Sequence, residues 1–335
     1  MPKVIIIAEA GVNHCGSLER ALAMVDAAAE AGVDYVKFQT FKAAKLVSAN
    51  APKAGYQEAN DPSSGSTQLE MLRRLELSAA DFATLAARCR EKGIGFLSTP
   101  FDLDSIRDLA PLGMDYWKIP SGEITNLPYL RAIGSRGESV ILSTGMSDLD
   151  EVEAALRALE EAGTPRSKVI LLHCNTQYPT PMADVNLRAM EPLRTLGAAS
   201  VGYSDHTLGT EVPVAAAALG ASVIEKHFTL SRDLPGPDHK ASLTPAELAL
   251  MVSQIRNIEL ALGDGSKRVS DSERPNIAVA RKSIVASRPI ARGETLSSEN
   301  LAVKRPGTGL SPMLWDSVTG TQAVKDFAPD EPITL

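Results

Sequence analysis

The sequence predicts an α/β fold: a (β/α)8 TIM barrel followed by a small domain that is mostly irregular with short strands. Three observations predict it. Eight short apolar runs alternate with longer helical patterns over residues 4–262, the runs have the length of strands, and no G-x-G-x-x-G motif follows the first of them. Alternating strands and helices form right-handed βαβ units, and eight such units make a barrel. The missing glycine motif disfavours a doubly wound open sheet.

The eight predicted strands are short and rich in large apolar residues. They cover residues 4–8, 35–38, 94–97, 116–119, 140–142, 169–172, 200–203 and 223–225. Continuous apolar runs of this length are typical of parallel strands that are buried on both faces.

Helices are predicted between the strands, most clearly over residues 18–31, 79–92, 149–162, 211–219 and 245–262. Gly32 and Gly93 follow two of these patterns directly. Glycine is typical of the C-terminal end of a helix because it adopts positive φ without strain. Residues 41–70 are rich in Ala, Ser, Asn, Pro and Gly, and we expect them to form an insertion loop.

The pattern changes after the eighth unit, which predicts a second domain. We assign residues 1–262 to the barrel, 263–279 to a polar, turn-rich linker and 280–335 to the small domain, with strands at 283–286 and 301–304. A domain of roughly 55 residues buries little surface and is marginally stable alone. We therefore expect it to pack against another part of the protein.

Charge and cysteine content exclude several classes of protein. The chain of 335 residues has 34 Lys and Arg against 41 Asp and Glu, a net charge of −7, which argues against a nucleic-acid binder but not against a local basic pocket. No apolar run approaches the ~18 residues of a membrane span, and we recognise no signal peptide. Three widely spaced cysteines without a CxxC pair indicate a reducing, cytoplasmic location and disfavour a thiolate zinc site.

Polar side chains stand at the C-terminal end of nearly every predicted strand. In a barrel this is the end that carries the active site. The side chains are Glu9; Lys37 and Gln39; Ser98 and Thr99; Lys118, Ser121 and Glu123; Ser143 and Thr144; those of residues 173–178; Ser204 and His206; and Glu225 and His227. We therefore predict an active site at this end.

Two lysines within this set indicate an anion site. Lys37 and Lys118, with the hydroxyls of Ser121, Ser143 and Ser204, could hold a phosphate and a carboxylate. The neighbours of both lysines in the chain are apolar, which makes surface salt bridges a weaker interpretation. A Schiff-base lysine is a further alternative, but it would leave the hydroxyls without a use.

Two histidines at the ends of adjacent strands indicate a metal site. His206 and His227 could share one divalent cation, and Glu225 points to the same side of its strand as His227. The alternative is a pair of core histidines. Asp238, in a Gly-Pro-Asp-His turn, either orients a substrate or is an ordinary turn residue. Glu9 and Glu123 are the carboxylates best placed for acid–base work.

Taken together, these motifs resemble the sialic acid (nonulosonate) synthases. The matching segments, in chain order, are AEAGVNHCGS (8–17), YVKFQTFK (35–42), FLSTPFD (96–102), WKIPSGE (117–123), ILSTGM (141–146), LLHCNTQYPTP (171–181), GYSDHT (202–207), EKHFT (225–229) and GPDH (236–239). The segment 281–309 resembles the antifreeze-like, or SAF, domain that ends members of this family.

The resemblance implies an enzyme of the transferase class. Its members condense phosphoenolpyruvate with an N-acetylated hexose, such as N-acetylmannosamine or 2,4-diacetamido-2,4,6-trideoxymannose. The product is a nine-carbon 2-keto acid, and phosphate leaves by C–O cleavage with the help of Mn²⁺ or Mg²⁺. The family also implies a domain-swapped homodimer in which each small domain caps the partner's barrel, with no nucleic-acid or membrane partner.

The resemblance also assigns roles by motif position. Phosphoenolpyruvate would be bound by Lys37, Thr99, Lys118, Ser121, Ser143 and Ser204. Asn175 would also bind it, although it lies one residue away from the position that carries Asn in the family. His206 and His227 would hold the metal, with Glu225 as a possible outer neighbour. The residues around the sugar would be Glu9, Gln39, Glu123, Tyr178 and Asp238, and Arg305 would reach the sugar from the partner chain. Among these, Glu9 or Glu123 would handle the proton of the attacking water and Asp238 would orient the substrate.

The sequence departs from the family pattern at a few positions. Cys15 stands where members usually have Asn, and Thr176 stands where many have Asn, which here is Asn175. The HCNTQYPTP form resembles synthases for legionaminic acid more than those for N-acetylneuraminate. One alternative is another phosphoenolpyruvate-dependent 3-deoxy-ulosonate synthase, although no second Arg/Lys cluster is evident for a sugar phosphate. The other is a non-catalytic carbohydrate-binding protein.

Overall fold

The computed structural model describes residues 3–53, 55 and 67–335. The chain divides into two compact units, Met1–Asp264 and Gly265–Leu335. The first unit contains one parallel sheet and its helices, and the second contains a short antiparallel ladder.

The first unit is a barrel of eight strands, as the sequence predicts. They are β1 (Ile5–Gly11), β2 (Tyr35–Thr40), β3 (Gly95–Pro100), β4 (Trp117–Ile119), β5 (Val140–Ser143), β6 (Val169–Cys174), β7 (Ser200–Asp205) and β8 (Val223–His227). Their order is β3-β2-β1-β8-β7-β6-β5-β4, and every ladder is parallel. Because β3 and β4, the two ends of this order, also lie side by side, the barrel is nearly closed.

Helices connect the strands. They are α1 (Leu18–Glu30), α2 (Ala43–Leu46), α3 (Gln68–Arg73), α4 (Ala79–Lys92), α5 (Leu103–Leu109), α6 (Leu127–Gly134), α7 (Leu149–Ala162), α8 (Met190–Arg194), α9 (Glu211–Ala218) and α10 (Pro245–Leu262). Capping boxes headed by Ser78, Asp148 and Thr244 start α4, α7 and α10, whose bounds are those predicted. Gly93 ends α4 with a φ of 73°.

Most of the strands run further than predicted. The prediction for β8 ended at residue 225, whereas the strand continues to His227; β1 likewise continues to Gly11 and β7 to Asp205. The prediction stopped where the apolar run stopped. In a barrel, the strand pairing continues past the apolar run into a polar layer. The inward-facing side chains of this layer are polar and contact one another, so they are not buried in the apolar core.

Residues 41–70 are not simply a loop, which corrects the prediction. Helix α2 lies within them and α3 begins at residue 68, while residues 54 and 56–66 lie outside the described part. Thr67 heads α3 with a capping box. A four-residue helix and a helix of six residues are too short to give a periodic signal in the sequence.

The inside of the barrel is closed below its C-terminal end by an apolar layer. Ile7, Leu97, Ile141, Leu172 and Val223 form a buried cluster there. The opposite faces of the strands pack against the helices in a larger core. Successive side chains on a strand alternate in direction, so the next inward-facing positions toward the C-terminal end form the layer above this apolar plug.

The second unit has its own small core. Helix α11 (Arg274–Ala280) precedes β9 (Ser283–Ala286), which pairs antiparallel with β10 (Leu301–Lys304), and α12 (Trp315–Val318) follows. Ile284, Leu296, Val318 and Phe327 are among the residues of its core. The two predicted strands are present with the predicted bounds. Helix α11 begins within the residues that the sequence analysis assigned to the linker.

Across the described residues, none of the helices combines the length and the apolar character that crossing a membrane requires.

Candidate active site

A cavity of about 410 Å³ opens at the C-terminal ends of the barrel strands. It contains most of the residues predicted from the sequence. Those lining it are Glu9, Lys37, Gln39, Thr99, Lys118, Ser121, Ser143, Tyr178, Ser204, His206, Glu225, His227 and Asp238. The strand register explains this, because Glu9 pairs with both Lys37 and His227, and Ser204 pairs with Glu225, in the layer directly above the apolar plug.

Glu225 lies between the two lysines of the cavity. Its Oε2 is 3.7 Å from Lys37 Nζ and its Oε1 is 3.8 Å from Lys118 Nζ, while Ser204 Oγ donates a hydrogen bond of 3.0 Å to Oε1. Burial alone would raise the pKa of Glu225, but Lys118 and Lys37 together lower it. Glu225 is therefore an ionised carboxylate that partly neutralises both lysines.

The two lysines differ in their surroundings. Lys37 lies 2.7 Å from Glu9 Oε2 and donates to Thr99 Oγ1 at 3.0 Å. Burial works to lower its pKa, but Glu225 and Glu9 raise it. Lys118 donates to Ser143 Oγ at 2.6 Å, and burial outweighs the attraction of Glu225 and lowers its pKa. Lys118 is thus the less neutralised cation and the stronger attractor for an anionic ligand.

Glu9 is a carboxyl group of the cavity that is shifted toward its protonated form. Burial raises its pKa, with the charge of Glu225 adding to this and Lys37 opposing it. Gln39 Nε2 donates to Glu9 Oε1 at 3.0 Å, which orients the carboxyl group. A carboxyl with a raised pKa is suited to general acid or base work.

His206 and His227 face each other across the cavity with ring centroids 5.4 Å apart. Asn175 presents its backbone carbonyl to His206 Nδ1, and Tyr178 Oη lies 2.9 Å from His206 Nε2. A carbonyl only accepts, so Nδ1 carries the proton and the lone pair of His206 is on Nε2. His227 Nδ1 is buried and has no hydrogen-bond partner among the residues that the structure describes.

Both histidines are suited to ligate a cation. Burial lowers the pKa of His206 to about 4 and that of His227 well below its usual value, so both imidazoles are neutral at physiological pH. Neutral imidazoles are good donors for divalent metals. No cluster of three or more His, Cys, Asp or Glu side chains with metal-site geometry occurs in the described part of the chain. A cation bound here would take its remaining ligands from substrate and water.

A buried ion pair supports the strand ends that carry the two histidines. Lys226 pairs with Asp205, and both side chains are fully buried. Lys226 Nζ also donates to the Thr207 carbonyl at 2.6 Å, and Asp205 accepts from the Thr207 amide at 3.1 Å. The pair thereby ties β8 to the end of β7 on the outer face of the barrel, behind His206 and His227. The sequence analysis assigned these two residues no role.

Replacing Lys226 with Met is expected to lower the free energy of unfolding by about 3–5 kcal/mol, because Asp205 would remain as a buried carboxylate without its cation. Urea denaturation checks this. The double variant Lys226→Met with Asp205→Asn should recover part of the loss, since it leaves no unpaired charge. A single variant within about 1 kcal/mol of the parent would show that the pair contributes little.

Asp238 is buried in the wall of the cavity. Burial raises its pKa to about 7, and the charge of Glu9 adds to the shift. Its backbone carbonyl accepts from Ser242 Oγ at 2.7 Å, which fixes the segment that carries it. The carboxyl group therefore changes its charge near neutral pH.

Asp238→Asn should alter the pH dependence of stability. The folded state holds the proton of Asp238 up to about pH 7, whereas the unfolded chain loses it near the ordinary pKa of 3.8. Stability is therefore lost as pH rises between these values. The melting temperature of the Asn variant relative to the parent should climb from about pH 4 to about pH 7 and then level off. Asp233→Asn, at a nearby exposed position, is the matched control.

Two predicted site residues lie beside the cavity lining rather than in it. Glu123 accepts from Asn126 Nδ2 at 2.6 Å, and burial raises its pKa, which Asn126 partly offsets. The Asn175 side chain accepts from the Gln177 amide at 2.8 Å, so this residue contacts the site through its carbonyl on His206. Arg305 belongs to the second unit, where its Nε donates to the Ala280 carbonyl at 3.0 Å.

An apolar wall completes the cavity, and its residues were not predicted to be part of the site. It consists of Phe41, Leu46, Val47, Met71, Leu72 and Leu75, from α2, α3 and the residues around them. The segment assigned to an insertion loop supplies much of this wall. The two helices are too short to give a periodic pattern, so no signal in the sequence revealed it.

Comparisons with known proteins agree with this arrangement. Residues 24–267 match the profile of the NeuB family, and residues 281–335 match that of the SAF domain. The chain is 50% identical to the N,N'-diacetyllegionaminic acid synthase of Campylobacter jejuni, over 99% of both chains. It is 48% identical to the enzyme of the same name from Legionella pneumophila, over 95% of this chain and 89% of that one.

A solved structure is similar as well. The crystal structure of the N-acetylneuraminic acid (sialic acid) synthetase of Leptospira borgpetersenii in complex with citrate superposes with a TM-score of 0.72 at 36% identity, covering 82% of this chain and 90% of that one. The profile match spans more than half of the chain, and the relatives align over nearly all of it. The chain therefore belongs to the NeuB family, with a barrel that carries the polar cavity and a SAF domain after it.

Proposed function

We propose that the protein is a nonulosonate synthase that condenses phosphoenolpyruvate with an N-acetylated hexose and releases phosphate. The observation that carries the proposal is the composition of one cavity, where two buried lysines with hydroxyl neighbours lie beside two neutral imidazoles. The lysines match the phosphate and carboxylate of phosphoenolpyruvate. No arginine lines this cavity among the described residues, so nothing favours a sugar phosphate as the second substrate.

We propose 2,4-diacetamido-2,4,6-trideoxymannose as the sugar. Two relatives at about half identity are named N,N'-diacetyllegionaminic acid synthases. This sugar has a methyl group at C6 and two acetamido groups, so it presents more apolar surface than N-acetylmannosamine. The apolar wall, which includes Leu46, Val47 and Met71, can contact the apolar groups of this sugar.

Phosphoenolpyruvate would occupy the layer above the apolar plug, where its anionic groups replace part of the contact of Glu225 with Lys37 and Lys118. Ser143, Thr99 and Ser204 already hydrogen-bond to these charged groups and hold them in place. Because the side chains are ordered before the ligand arrives, binding costs little rearrangement. The lysines thus bind and position the substrate.

In the reaction, C3 of phosphoenolpyruvate attacks the aldehyde carbon of the open-chain sugar. A C–C bond forms, the π bond of the aldehyde breaks, its oxygen takes up a proton, and C2 becomes an oxocarbenium centre. Water then adds at C2, and the C–O bond to phosphate breaks. Glu9 is a carboxyl of the cavity with a raised pKa and lies beside Lys37, and we assign it the transfer of the proton of this water. Glu123 lies outside the lining and is the weaker candidate.

We propose that His206 and His227 hold a divalent cation, Mn²⁺ or Mg²⁺. Their neutral state, their spacing and the unpaired Nδ1 of His227 support this assignment. When bound, such a cation acts as a Lewis acid on a carbonyl oxygen. Tyr178 and the Asn175 carbonyl orient the imidazole of His206 toward the cavity.

We further propose a cytoplasmic homodimer in which Arg305 of one chain completes the sugar site of the other. The small size of the second unit supports this proposal, because a domain of this size is only marginally stable alone. Arg305→Ala should raise the KM for the sugar about tenfold or more through loss of charge-assisted hydrogen bonds, with a smaller effect on phosphoenolpyruvate. Arg292→Ala, at an exposed position of the same unit, is the control.

Mixing the Arg305→Ala protein with a Lys118→Met protein tests the exchange of domains directly. In mixed dimers one site would combine an intact barrel with an intact Arg305, so activity should exceed that of either variant alone. Mixed dimers that are verified by mass and show no such gain would contradict the exchange.

A phosphate-release assay tests the function itself. The protein is supplied with phosphoenolpyruvate and Mn²⁺, with 2,4-diacetamido-2,4,6-trideoxymannose in one reaction and N-acetylmannosamine in the other. Preference for the first sugar is the expected result. Release with N-acetylmannosamine alone would assign the protein as an N-acetylneuraminate synthase instead. No release with either sugar, with Mn²⁺ bound, would refute both substrate assignments.

A further inference from the structure

A cysteine and a histidine that the proposed reaction does not use lie together outside the cavity lining. Cys15 follows β1, and its Sγ lies 3.3 Å from His239 Nε2, although 224 residues separate the two in the chain. Thr229 Oγ1 lies 2.7 Å from the other ring nitrogen of His239. Thr229 and His239 are fully buried, whereas Cys15 is partly exposed.

The hydrogen bonds of Thr229 determine which nitrogen of His239 carries the proton. The Thr229 hydroxyl has one hydrogen, which it donates to the Ser231 carbonyl at 2.9 Å. It must then accept from His239, so the proton of the imidazole is on Nδ1. Nε2 is left with its lone pair directed at Cys15 Sγ, where it can take the proton of the thiol.

A nucleophile, a base within hydrogen-bond reach of it and a third group that orients the base are the features of an activated thiol. Cys15, His239 and Thr229 provide these features in that order. The other two cysteines, Cys89 and Cys174, are buried, and burial raises the pKa of each thiol, which keeps both in the unreactive form. The three cysteines are therefore expected to differ sharply in reactivity.

We propose that Cys15 is a modification site, at which His239 activates the thiol toward hydroperoxides and soft carbon electrophiles. With a hydroperoxide, the sulfur attacks the terminal oxygen, an S–O bond forms and the O–O bond breaks. The sulfur is oxidised to a sulfenic acid and the peroxide is reduced. The leaving oxygen takes the proton that His239 removed from the thiol, so hydrogen peroxide yields water.

The surroundings of Cys15 connect such a modification to the cavity. Gly236 adopts a φ of 154°, and a Cβ built on it would lie 3.0 Å from Cys15 Sγ and 2.8 Å from His239 Nε2. The Pro235 carbonyl lies 3.0 Å from the same sulfur. An added oxygen has no room on this side unless residues 235–239 move. Because Asp238 belongs to this segment and lines the cavity, we expect oxidation of Cys15 to lower turnover, a part of the proposal that rests on the proposed function.

The rate of alkylation measures the activation without reference to activity. Iodoacetamide is allowed to react with the native protein and with the urea-unfolded protein at the same pH, and each cysteine is followed by mass spectrometry. Cys15 should react about tenfold faster in the native protein than in the unfolded chain, and the other two cysteines more slowly. His239→Gln should lower the native rate by about the same factor. If that variant fails to fold, the activation is tested by the parent alone, from the ratio of the alkylation rates of Cys15 in the native and the unfolded protein.

Oxidation with hydrogen peroxide tests whether modification of Cys15 lowers turnover. Hydrogen peroxide followed by dimedone should label Cys15 and leave Cys89 and Cys174 unlabelled. A parallel sample oxidised without dimedone should lose phosphate release, and dithiothreitol should restore it. Cys15→Ser should retain its turnover under the same treatment. A Cys15 that reacts no faster in the folded than in the unfolded protein would overturn the activation. Labelling of Cys15 without loss of turnover would overturn the link to the cavity, and an untreated protein that is inactive would refute the proposed function instead.

Discussion

Lys118→Met is expected to weaken phosphoenolpyruvate binding by about 10²-fold or more. Lys118 is the less neutralised cation of the cavity, since burial lowers its pKa and its nearest carboxylate, on Glu225, is 3.8 Å away. Removing one partner of a buried charged contact costs about 2–5 kcal/mol, and about 1.4 kcal/mol corresponds to a factor of ten. Calorimetric titration with phosphoenolpyruvate gives the dissociation constant, and steady-state kinetics should show a matching loss in kcat/KM.

A lysine outside the cavity provides the control. Lys92→Met removes a cation near the end of α4, where Lys92 pairs with Asp26, and it should leave phosphoenolpyruvate binding unchanged. An unchanged dissociation constant for Lys118→Met would contradict the anion site. Thermal unfolding of each variant separates loss of binding from loss of structure.

His206→Ala is expected to abolish cation binding and turnover together. The variant removes one of two imidazoles whose neutral state and orientation fit them to ligate a metal. Loss of even an indirect partner of a ligand lowers metal affinity about 10–100-fold, so loss of a ligand itself should cost about 10²-fold or more. Paramagnetic resonance of added Mn²⁺ measures bound and free ion without reference to activity.

The control for this prediction is a histidine of the barrel that is not directed into the cavity. His173 Nε2 pairs with the Val185 carbonyl, and His173→Gln can retain a hydrogen bond there. This variant should bind Mn²⁺ as the parent does. Full turnover of a metal-free preparation of the parent would contradict the assignment of a catalytic cation.

The barrel could be predicted because each strand begins as an apolar run and the helices carry clear end signals, as at Ser78 and Gly93. The cavity followed from the rule that barrels place their sites at the C-terminal strand ends. The prediction of site residues was less accurate where tertiary contacts determine the direction of a side chain. Glu123 follows its strand closely in the chain, but a turn directs it to Asn126 beside the lining.

Three further features could not be derived from local sequence. Lys226 alternates away from the cavity, and only the fold shows that it is buried against Asp205. The contact of Cys15 with His239 joins the loops after the first and the eighth strand, which meet because β1 and β8 pair in the barrel. The apolar wall depends on helices too short to give a periodic pattern.

The apolar plug of the barrel has a kinetic consequence. Ile7, Leu97 and Ile141 and their neighbours close the barrel below the cavity, which opens at the C-terminal ends of the strands. Lys118 and Ser143 lie directly above the plug, whereas the apolar wall stands nearer the opening. If phosphoenolpyruvate binds at the lysines as proposed, we expect it to bind before the sugar, which would otherwise block its path. Phosphate would then leave last, and we expect a compulsory order in which phosphate competes with phosphoenolpyruvate for the free enzyme.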